Sequence, residues 1–207
     1  MQFAYQFPER CERLVLVGSG GLGDEVHALL RAATLPGSEF VLPVLAHPRV
    51  LAVAGMLPRG LGRLGLRTGP DLTEMARAYQ SLSKAEARNA FIQTLRGVID
   101  PSGQRINASD RLYLSAQMPS MVVWGARDRI IPVAHAQVAH DGMPGSRLEI
   151  FDDAGHFPQL DDPYRFAETL EDFFDTTEPA ALDAEAMRDL LVSQAGEWAP
   201  VLERLGR

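Results

Sequence analysis

The sequence has little of what disulfide-bonded, membrane-spanning or nucleic-acid-binding proteins need. Its 207 residues include a single cysteine, Cys11, which excludes an internal disulfide framework and any metal site built from several cysteines. No apolar stretch approaches the roughly 20 residues that a membrane-spanning helix requires. The formal net charge of −7 leaves no excess of basic residues for binding a phosphate backbone. We therefore predict neither a nucleic-acid partner nor a membrane partner.

The cysteine content, the N-terminal segment and the overall composition indicate the compartment and the number of domains. A lone cysteine fits a reducing compartment. The N-terminus does not read as a secretory signal, because Pro8, Glu9 and Arg10 interrupt it before a long apolar core can form. We expect a cytoplasmic protein. With 46% hydrophobic and 23% charged residues and no low-complexity tract, the chain is compatible with one globular domain.

Two short apolar runs each lead into a loop that carries an ionisable residue. Met121–Trp124 is stopped by Gly125 and followed by Asp128, and Leu148–Phe151 is followed by a turn and His156. In open α/β sheets, ligands and catalytic groups collect beyond the carboxyl ends of the strands. The pattern therefore predicts that Asp128 and His156 belong to one site.

These loops carry a family resemblance. The segment from Trp124 to Pro132, with the sequence WGARDRIIP, followed by Gly155-His156-Phe157, resembles the acid and histidine loops of the α/β-hydrolase family. The order of acid before histidine is also typical of that family. The resemblance implies that Asp128 orients the imidazole and that His156 is the general base. It further implies an α/β fold whose sheet is mostly parallel, with helices on both faces.

The N-terminal residues extend the resemblance, but the nucleophile is missing. Met1–Arg10 and a predicted strand at Leu14–Val17 are similar to the helix and strand that follow the family's nucleophile elbow. The elbow itself, G-x-S-x-G, is absent: no serine has glycine two positions away on both sides, and Cys11 and the aspartates fail the same test. No His-Gly pair resembles the oxyanion loop. We predict a partial α/β-hydrolase fold, a sequence truncated at its N-terminus, and little or no activity for this chain alone.

Helical patterning dominates between the first strand and the second. The resemblance implies a core at residues 1–21 and 113–177, a helical cap inserted at residues 22–112, and a C-terminal helical extension at residues 178–207. Ser19, Trp124 and Phe157 are weaker candidates for lining a substrate pocket. The predicted helices are Asp24–Ala33, Pro43–Met56, Asp71–Leu82, Lys84–Val98, Val133–His140, Pro163–Phe174 and Leu182–Leu205.

The function implied by the resemblance is hydrolysis of a small-molecule substrate. In the complete protein, a nucleophile–His–Asp triad would cleave a small apolar ester or a carbon–carbon bond. One alternative is an epoxide hydrolase or dehalogenase with an aspartate nucleophile, and another is a fragment that binds without catalysis. Self-association through the sheet edge is also expected, because the strand at Leu14–Val17 would lack a neighbour on one side.

The glycine-rich run Gly18–Gly23 gives an alternative from a different class. The run matches G-x-G-x-x-G and lies between a predicted strand and a predicted helix. This arrangement can place a pyrophosphate at a helix N-terminus. That fingerprint also needs an acidic residue at the end of the next strand, but the only candidate strand, Phe40–Ala46, is followed by His47. Dinucleotide binding is therefore the less favoured interpretation. The spacing of the histidines indicates no zinc site, and we predict neither a metal nor a cofactor.

Overall fold

A computed structural model describes residues 1–47, 49–50 and 69–192 of the chain. Its central sheet has three parallel strands in the order β1, β4, β5, and a short antiparallel pair, β2 and β3, lies apart from it. All three predicted strands are confirmed, and the second and third are slightly longer than predicted. The strands are β1 (Leu14–Val17), β2 (Ile99–Asp100), β3 (Gly103–Gln104), β4 (Ser120–Gly125) and β5 (Arg147–Phe151).

Helices account for most of the remaining regular structure. Two short 3₁₀ segments, Pro8–Arg10 and Ser109–Ser115, precede β1 and β4. Residues 184–192 are also helical, after Asp183 accepts hydrogen bonds from two backbone N–H groups. The other helices are α1 (Gln2–Gln6), α2 (Ala28–Thr34), α3 (Ser38–Leu45), α4 (Pro70–Ser81), α5 (Ala85–Val98), α6 (Ala134–Gly142), α7 (Pro158–Asp161) and α8 (Pro163–Asp175).

Strand β4 is buried on both of its faces. Val122 and Trp124 belong to a core cluster that includes residues of α6, whereas Met121 and Val123 pack in a second cluster with Phe173 of α8. The sequence of a strand covered by helices on both sides is continuously apolar rather than alternating. The sequence of β4 has this continuous pattern. The α/β architecture that was predicted is therefore present, and β4 is its centre.

The helices between β1 and β4 have a small core of their own. Val26, Leu95 and Ile99 form a buried cluster that brings α5 and β2 against the segment before α2. Two predicted helix boundaries in this region are wrong. The first helix begins at Ala28 instead of Asp24, because His27 is its N-cap and accepts a hydrogen bond from the Leu29 N–H at 3.2 Å.

The second error concerns the segment around Pro43. The residues from Phe40 to Ala46, considered as a strand, lie almost entirely in α3, which starts after Gly37 in a left-handed conformation with a φ of +92°. A short apolar run cannot be assigned to strand or helix from periodicity alone. The predicted helix Pro43–Met56 therefore starts too late, and its second half lies outside the described residues, as does the end of the predicted helix Leu182–Leu205.

Strand β1 lies at one edge of the central sheet. Its register places Leu14 opposite Ser120 and Val17 opposite Val123, and no described strand pairs with its other side. Self-association through this edge stays a prediction. None of the helices in the described ranges has the length and apolar character needed to cross a membrane.

Tyr5 of α1 makes the stability of the fold sensitive to alkaline pH. Burial raises the pKa of Tyr5 from 10.0 to about 12. Between these two pH values the folded chain keeps a proton that the unfolded chain releases. The contribution of Tyr5 to stability is therefore fully present below pH 10 and is expected to fall as the pH rises from 10 to 12. The hydroxyl is buried without a hydrogen-bond partner among the described residues.

Replacing Tyr5 by Phe should therefore stabilise the protein by about 1 kcal/mol at neutral pH, since an unpaired buried hydroxyl is removed. The gain should widen between pH 10 and 12. Urea unfolding of both proteins at pH 7 and pH 11 measures the difference. Tyr164→Phe is the matched control, because the Tyr164 side chain is 84% exposed. Parallel alkaline losses in wild type and Tyr5→Phe would contradict the prediction.

Candidate active site

Asp128 lies in the loop that follows β4, and its carboxylate is fully buried. One oxygen, Oδ1, accepts hydrogen bonds from the backbone N–H groups of Ile130 at 2.8 Å and Ile131 at 3.0 Å. The other, Oδ2, lies 2.8 Å from Nδ1 of His156. Both oxygens thus have partners, which is the condition under which a carboxylate can be buried. The local turn therefore holds the carboxylate in one orientation.

His156 lies in the loop that follows β5, and 18% of its side chain is exposed. An ionised carboxylate only accepts hydrogen bonds, so Nδ1 of the neutral imidazole must carry the proton that faces Asp128. The lone pair is then on Nε2, for which the described residues provide no hydrogen-bond partner. In this tautomer the imidazole can accept a proton at Nε2 while Asp128 stabilises the cation that forms. The two residues predicted from strand ends are thus in direct contact.

The acid loop and the histidine loop are held together by their backbones. Ala126 N–H donates to the carbonyl of Phe151 at 2.9 Å, and Arg127 N–H donates to the carbonyl of Ala154 at 2.9 Å. Gly125 lies between the two loops, and a Cβ atom there would overlap the carbonyl oxygens of Ala154 and Gly155. The distance between Asp128 and His156 therefore depends on glycine at the end of β4.

The end of β1 also contacts the histidine. Gly18 has a φ of +50°, and a Cβ atom on it would lie 3.0 Å from the carbonyl oxygen of His156 and 3.3 Å from its ring atoms Nδ1 and Cε1. A side chain at this position would be both strained and too close to the imidazole. Gly18, the first glycine of the glycine-rich run, therefore contributes to the candidate site by leaving room for the imidazole.

The rest of the glycine-rich run does not form a phosphate cradle. Gly21 N–H donates to Oε1 of Gln104 at 2.6 Å, and Nε2 of the same side chain donates to the carbonyl of Glu25 at 2.9 Å. The following helix begins at Ala28, well beyond Gly23. Because the geometry lacks a helix N-terminus directly after the glycines, it does not support the dinucleotide interpretation.

The three weaker pocket candidates have different surroundings. Phe157 is half-buried, and its ring meets the His156 ring edge-on, with centroids 4.9 Å apart. Ser19 is half-buried next to Gly18. Trp124 is fully buried, and its indole N–H donates to the carbonyl of Ile131 at 3.1 Å. The prediction that Trp124 lines a pocket is wrong, because the residue faces the core and supports the acid loop from within.

An open groove of about 500 Å³ lies at the other end of the central sheet. It is lined by the starts of β4 and β5, including Ser120 and Arg147, and by Phe173 and Thr177 at the end of α8. Parallel strands place their carboxyl ends, and hence Asp128 and His156, at the opposite edge. The groove therefore does not belong to the candidate active site.

Two aspartates that the sequence did not single out bind the histidine loop. The carboxylate of Asp71 accepts hydrogen bonds from the N–H groups of His156 at 3.0 Å and Phe157 at 3.3 Å. Oδ2 of Asp161 accepts one from Gly155 N–H at 2.9 Å. In the sequence, Asp71 reads only as an acidic residue in the first turn of a helix, and nothing local indicates a partner 85 positions away.

Comparisons with known proteins agree with this architecture. A family model described as alpha/beta hydrolase fold matches residues 66–163. An uncharacterized protein of Mycobacterium tuberculosis is 44% identical over 199 residues, which cover 95% of this chain and 58% of the relative. A 2-hydroxy-6-oxononadienedioate/2-hydroxy-6-oxononatrienedioate hydrolase of Comamonas testosteroni is 26% identical over 173 residues, which cover 84% of this chain and 57% of the relative.

A solved structure resembles the fold directly. The 2-hydroxy-6-oxo-6-phenylhexa-2,4-dienoate hydrolase from Rhodococcus sp. strain RHA1 matches with a TM-score of 0.59 and 18% identity, over 84% of this chain and 59% of that chain. The chain thus spans less than three fifths of the length of these relatives. The matched family region contains both Asp128 and His156. Together with the parallel sheet and its helices, these matches show that the chain has a partial α/β-hydrolase fold.

Proposed function

We propose that Asp128 and His156 are the acid and the base of a nucleophile–His–Asp triad, and that the complete protein is a hydrolase. The observation that supports this is the buried contact between Oδ2 of Asp128 and Nδ1 of His156, at 2.8 Å. Two backbone N–H groups hold the other carboxylate oxygen, so the acid is fixed before the reaction begins. Preorganised groups of this kind are what a triad requires.

The chemistry assigns a role to each group. Nε2 of His156 takes the proton from the attacking nucleophile and later delivers it to the leaving group. Asp128 keeps the imidazole in the productive tautomer and stabilises the imidazolium. The nucleophile is not among the 207 residues as a glycine-flanked serine. We propose that residues outside this sequence supply it, together with the oxyanion donors.

We propose a small substrate that presents a carbonyl group to the triad, and carbon–carbon bond cleavage as the first reaction to test. Relatives with 26% identity from Comamonas testosteroni and Pseudomonas putida are named as 2-hydroxy-6-oxononadienedioate/2-hydroxy-6-oxononatrienedioate and 2-hydroxymuconate semialdehyde hydrolases. An ester is the second substrate class, because the same triad attacks either carbonyl. No other partner is proposed, and the low cysteine content supports a cytoplasmic location.

We also propose that the insertion at residues 22–112 is a cap over the site. Its helix α4 supports this, since Asp71 at the start of that helix binds the backbone of the histidine loop. A cap so placed would exclude water from the reacting groups and shape the substrate pocket.

The test uses the protein translated from the reading frame extended upstream of Met1. A 2-hydroxy-6-oxo dienoate and a 4-nitrophenyl ester are the substrates, and His156→Ala is the variant. We expect kcat of the extended protein to fall by about 10³-fold or more, since a nucleophile and its base act as a unit. His47→Ala is the control, because His47 is exposed and remote from the triad in sequence.

The identity of the nucleophile distinguishes a serine-type hydrolase from an epoxide hydrolase or dehalogenase. A serine-directed reagent should block the extended protein if the elbow carries serine, whereas an aspartate nucleophile would leave it insensitive and redirect the search to epoxides and haloalkanes. Full activity of His156→Ala, or an extended frame without any elbow, would overturn the proposed function.

A further inference from the structure

We propose that Asp71 is a positioning residue that fixes the backbone of His156 and thereby couples helix α4 to the candidate active site. The hydrogen bonds of Asp71 lie within the 207-residue chain itself. The catalytic consequence of the inference rests on the proposed function.

The first observation is the pattern of hydrogen bonds along the histidine loop. Three consecutive backbone N–H groups, from Gly155 to Phe157, each donate to a carboxylate. Asp161 binds the first, and it lies close in sequence, at the end of α7. Asp71 binds the other two and belongs to a distant helix. The loop is therefore held from two sides by charged acceptors, which form stronger hydrogen bonds than neutral ones.

The second observation is that Asp71 does not cap its own helix. The N-cap of α4 is Gly69, and no side chain makes a capping hydrogen bond there. An acidic residue in the first turn usually serves the helix itself, through the dipole or a cap. Here the carboxylate is directed to His156 and Phe157 instead.

The third observation concerns what holds α4 in place. No residue of α4 is fully buried, so apolar packing contributes little to its position. Near its C-terminus, the Tyr79 hydroxyl donates to the carbonyl of Leu45 at 2.6 Å. At its N-terminus, the carboxylate of Asp71 links the helix to the histidine loop of the core. A helix attached by a few polar contacts shifts more readily than one anchored by a core.

These contacts act on the imidazole through the backbone. The N–H groups of His156 and Phe157 lie on either side of the His156 Cα atom, so one carboxylate restrains both peptide units that set the direction of the side chain. The 2.8 Å contact from Nδ1 to Asp128 depends on that direction. Displacement of α4, for example when a substrate enters beneath it, would therefore be transmitted to the general base.

The experiment is performed on the 207-residue chain and needs no catalytic activity. Amide hydrogen exchange reports on the N–H groups of residues 155, 156 and 157, and the imidazole Nδ1–H resonance of His156 reports on its contact with Asp128. The variants are Asp71→Ala, Asp71→Asn and Asp161→Ala. Glu74→Gln is the matched control, because Glu74 lies on the same helix and, among the described residues, its carboxylate pairs with Arg77 instead of the histidine loop.

We expect Asp71→Ala to accelerate exchange at residues 156 and 157 by about tenfold, the effect of losing a hydrogen bond to a charged acceptor, while residue 155 stays protected. Asp161→Ala should give the reverse pattern. The Nδ1–H resonance should broaden in Asp71→Ala and be partly restored in Asp71→Asn, which keeps one acceptor oxygen. Glu74→Gln should match the wild type in every respect.

Three results would overturn the inference. One is an unchanged Nδ1–H resonance in Asp71→Ala, and another is exchange that accelerates equally across the whole core, which would indicate general destabilisation. If Asp71→Ala does not fold, the wild-type chain decides, because exchange at residues 156 and 157 as fast as in unprotected amides would show that Asp71 does not hold these N–H groups. None of these outcomes depends on activity, so the inference and the proposed function can fail separately.

Discussion

Replacing Asp128 by Asn is expected to lower kcat of the extended protein by about 10⁴-fold while leaving the fold intact. The reason lies in the two backbone donors. The Asn carbonyl oxygen must face the N–H groups of Ile130 and Ile131, which only donate, so its NH₂ group must face His156. Nδ1 then has to accept a hydrogen bond, which moves the proton to Nε2. The lone pair that should take the proton from the nucleophile is thereby lost.

The change of tautomer can be measured without substrate. Nitrogen-15 spectra of the imidazole should show the proton on Nδ1 in the wild type and on Nε2 in Asp128→Asn at a pH where the ring is neutral. Asp153→Asn is the control, because the Asp153 carboxylate is 87% exposed and pairs with Arg127 at the surface. An unchanged tautomer, or a rate loss below tenfold, would show that Asp128 does not orient this histidine.

Replacing Gly125 by Ala should destabilise the protein by about 3 kcal/mol, the upper part of the range for overpacked sites. The added Cβ would overlap the carbonyl oxygens of Ala154 and Gly155, and backbone atoms cannot rotate away as a side chain can. Relief requires the acid and histidine loops to separate, so the contact between Asp128 and His156 should lengthen as well. Urea unfolding measures the loss of stability.

The same substitution at Gly97 is the control and should have the opposite sign. Gly97 lies in α5, and a Cβ atom there meets no atom of the described residues within 4 Å. Alanine should therefore stabilise the helix by about 0.5 kcal/mol through its higher helix propensity. Equal changes in stability for Gly125→Ala and Gly97→Ala would show that the nearby carbonyl oxygens are not what disfavours a side chain at Gly125.

The parts of the site that the sequence predicted are those with local signals. Asp128 and His156 each follow a short apolar strand, and parallel strands bring their carboxyl ends together without further information. Trp124 was misjudged because its strand is buried on both faces, so even the residue next to the loop belongs to the core. The sequence alone does not distinguish a core aromatic residue from a pocket residue at that position.

Other features depend on contacts between distant segments. The bonds from Asp71 to the histidine loop span 85 residues, and the Gln104 side chain meets Gly21 across 83. No periodicity or turn signal carries such information. The prediction for the α3 segment was wrong for a different reason. A short run of apolar residues fits helix and strand patterns equally well, and the left-handed conformation of Gly37, which precedes the helix, is known only from the structure.

The hydrogen bonds made by Gln104 join the two ends of the segment between β1 and β4. Its backbone N–H donates to the carbonyl of Asp24 at 2.8 Å, and its side chain joins Gly21 to Glu25. The chain thus leaves the core and returns to it at one place. A segment whose ends meet can be replaced as a module without stretching the scaffold, much as domains are inserted at surface sites. Residues 26–102 can therefore be exchanged between relatives while Gln104 keeps its contacts with Gly21, Asp24 and Glu25.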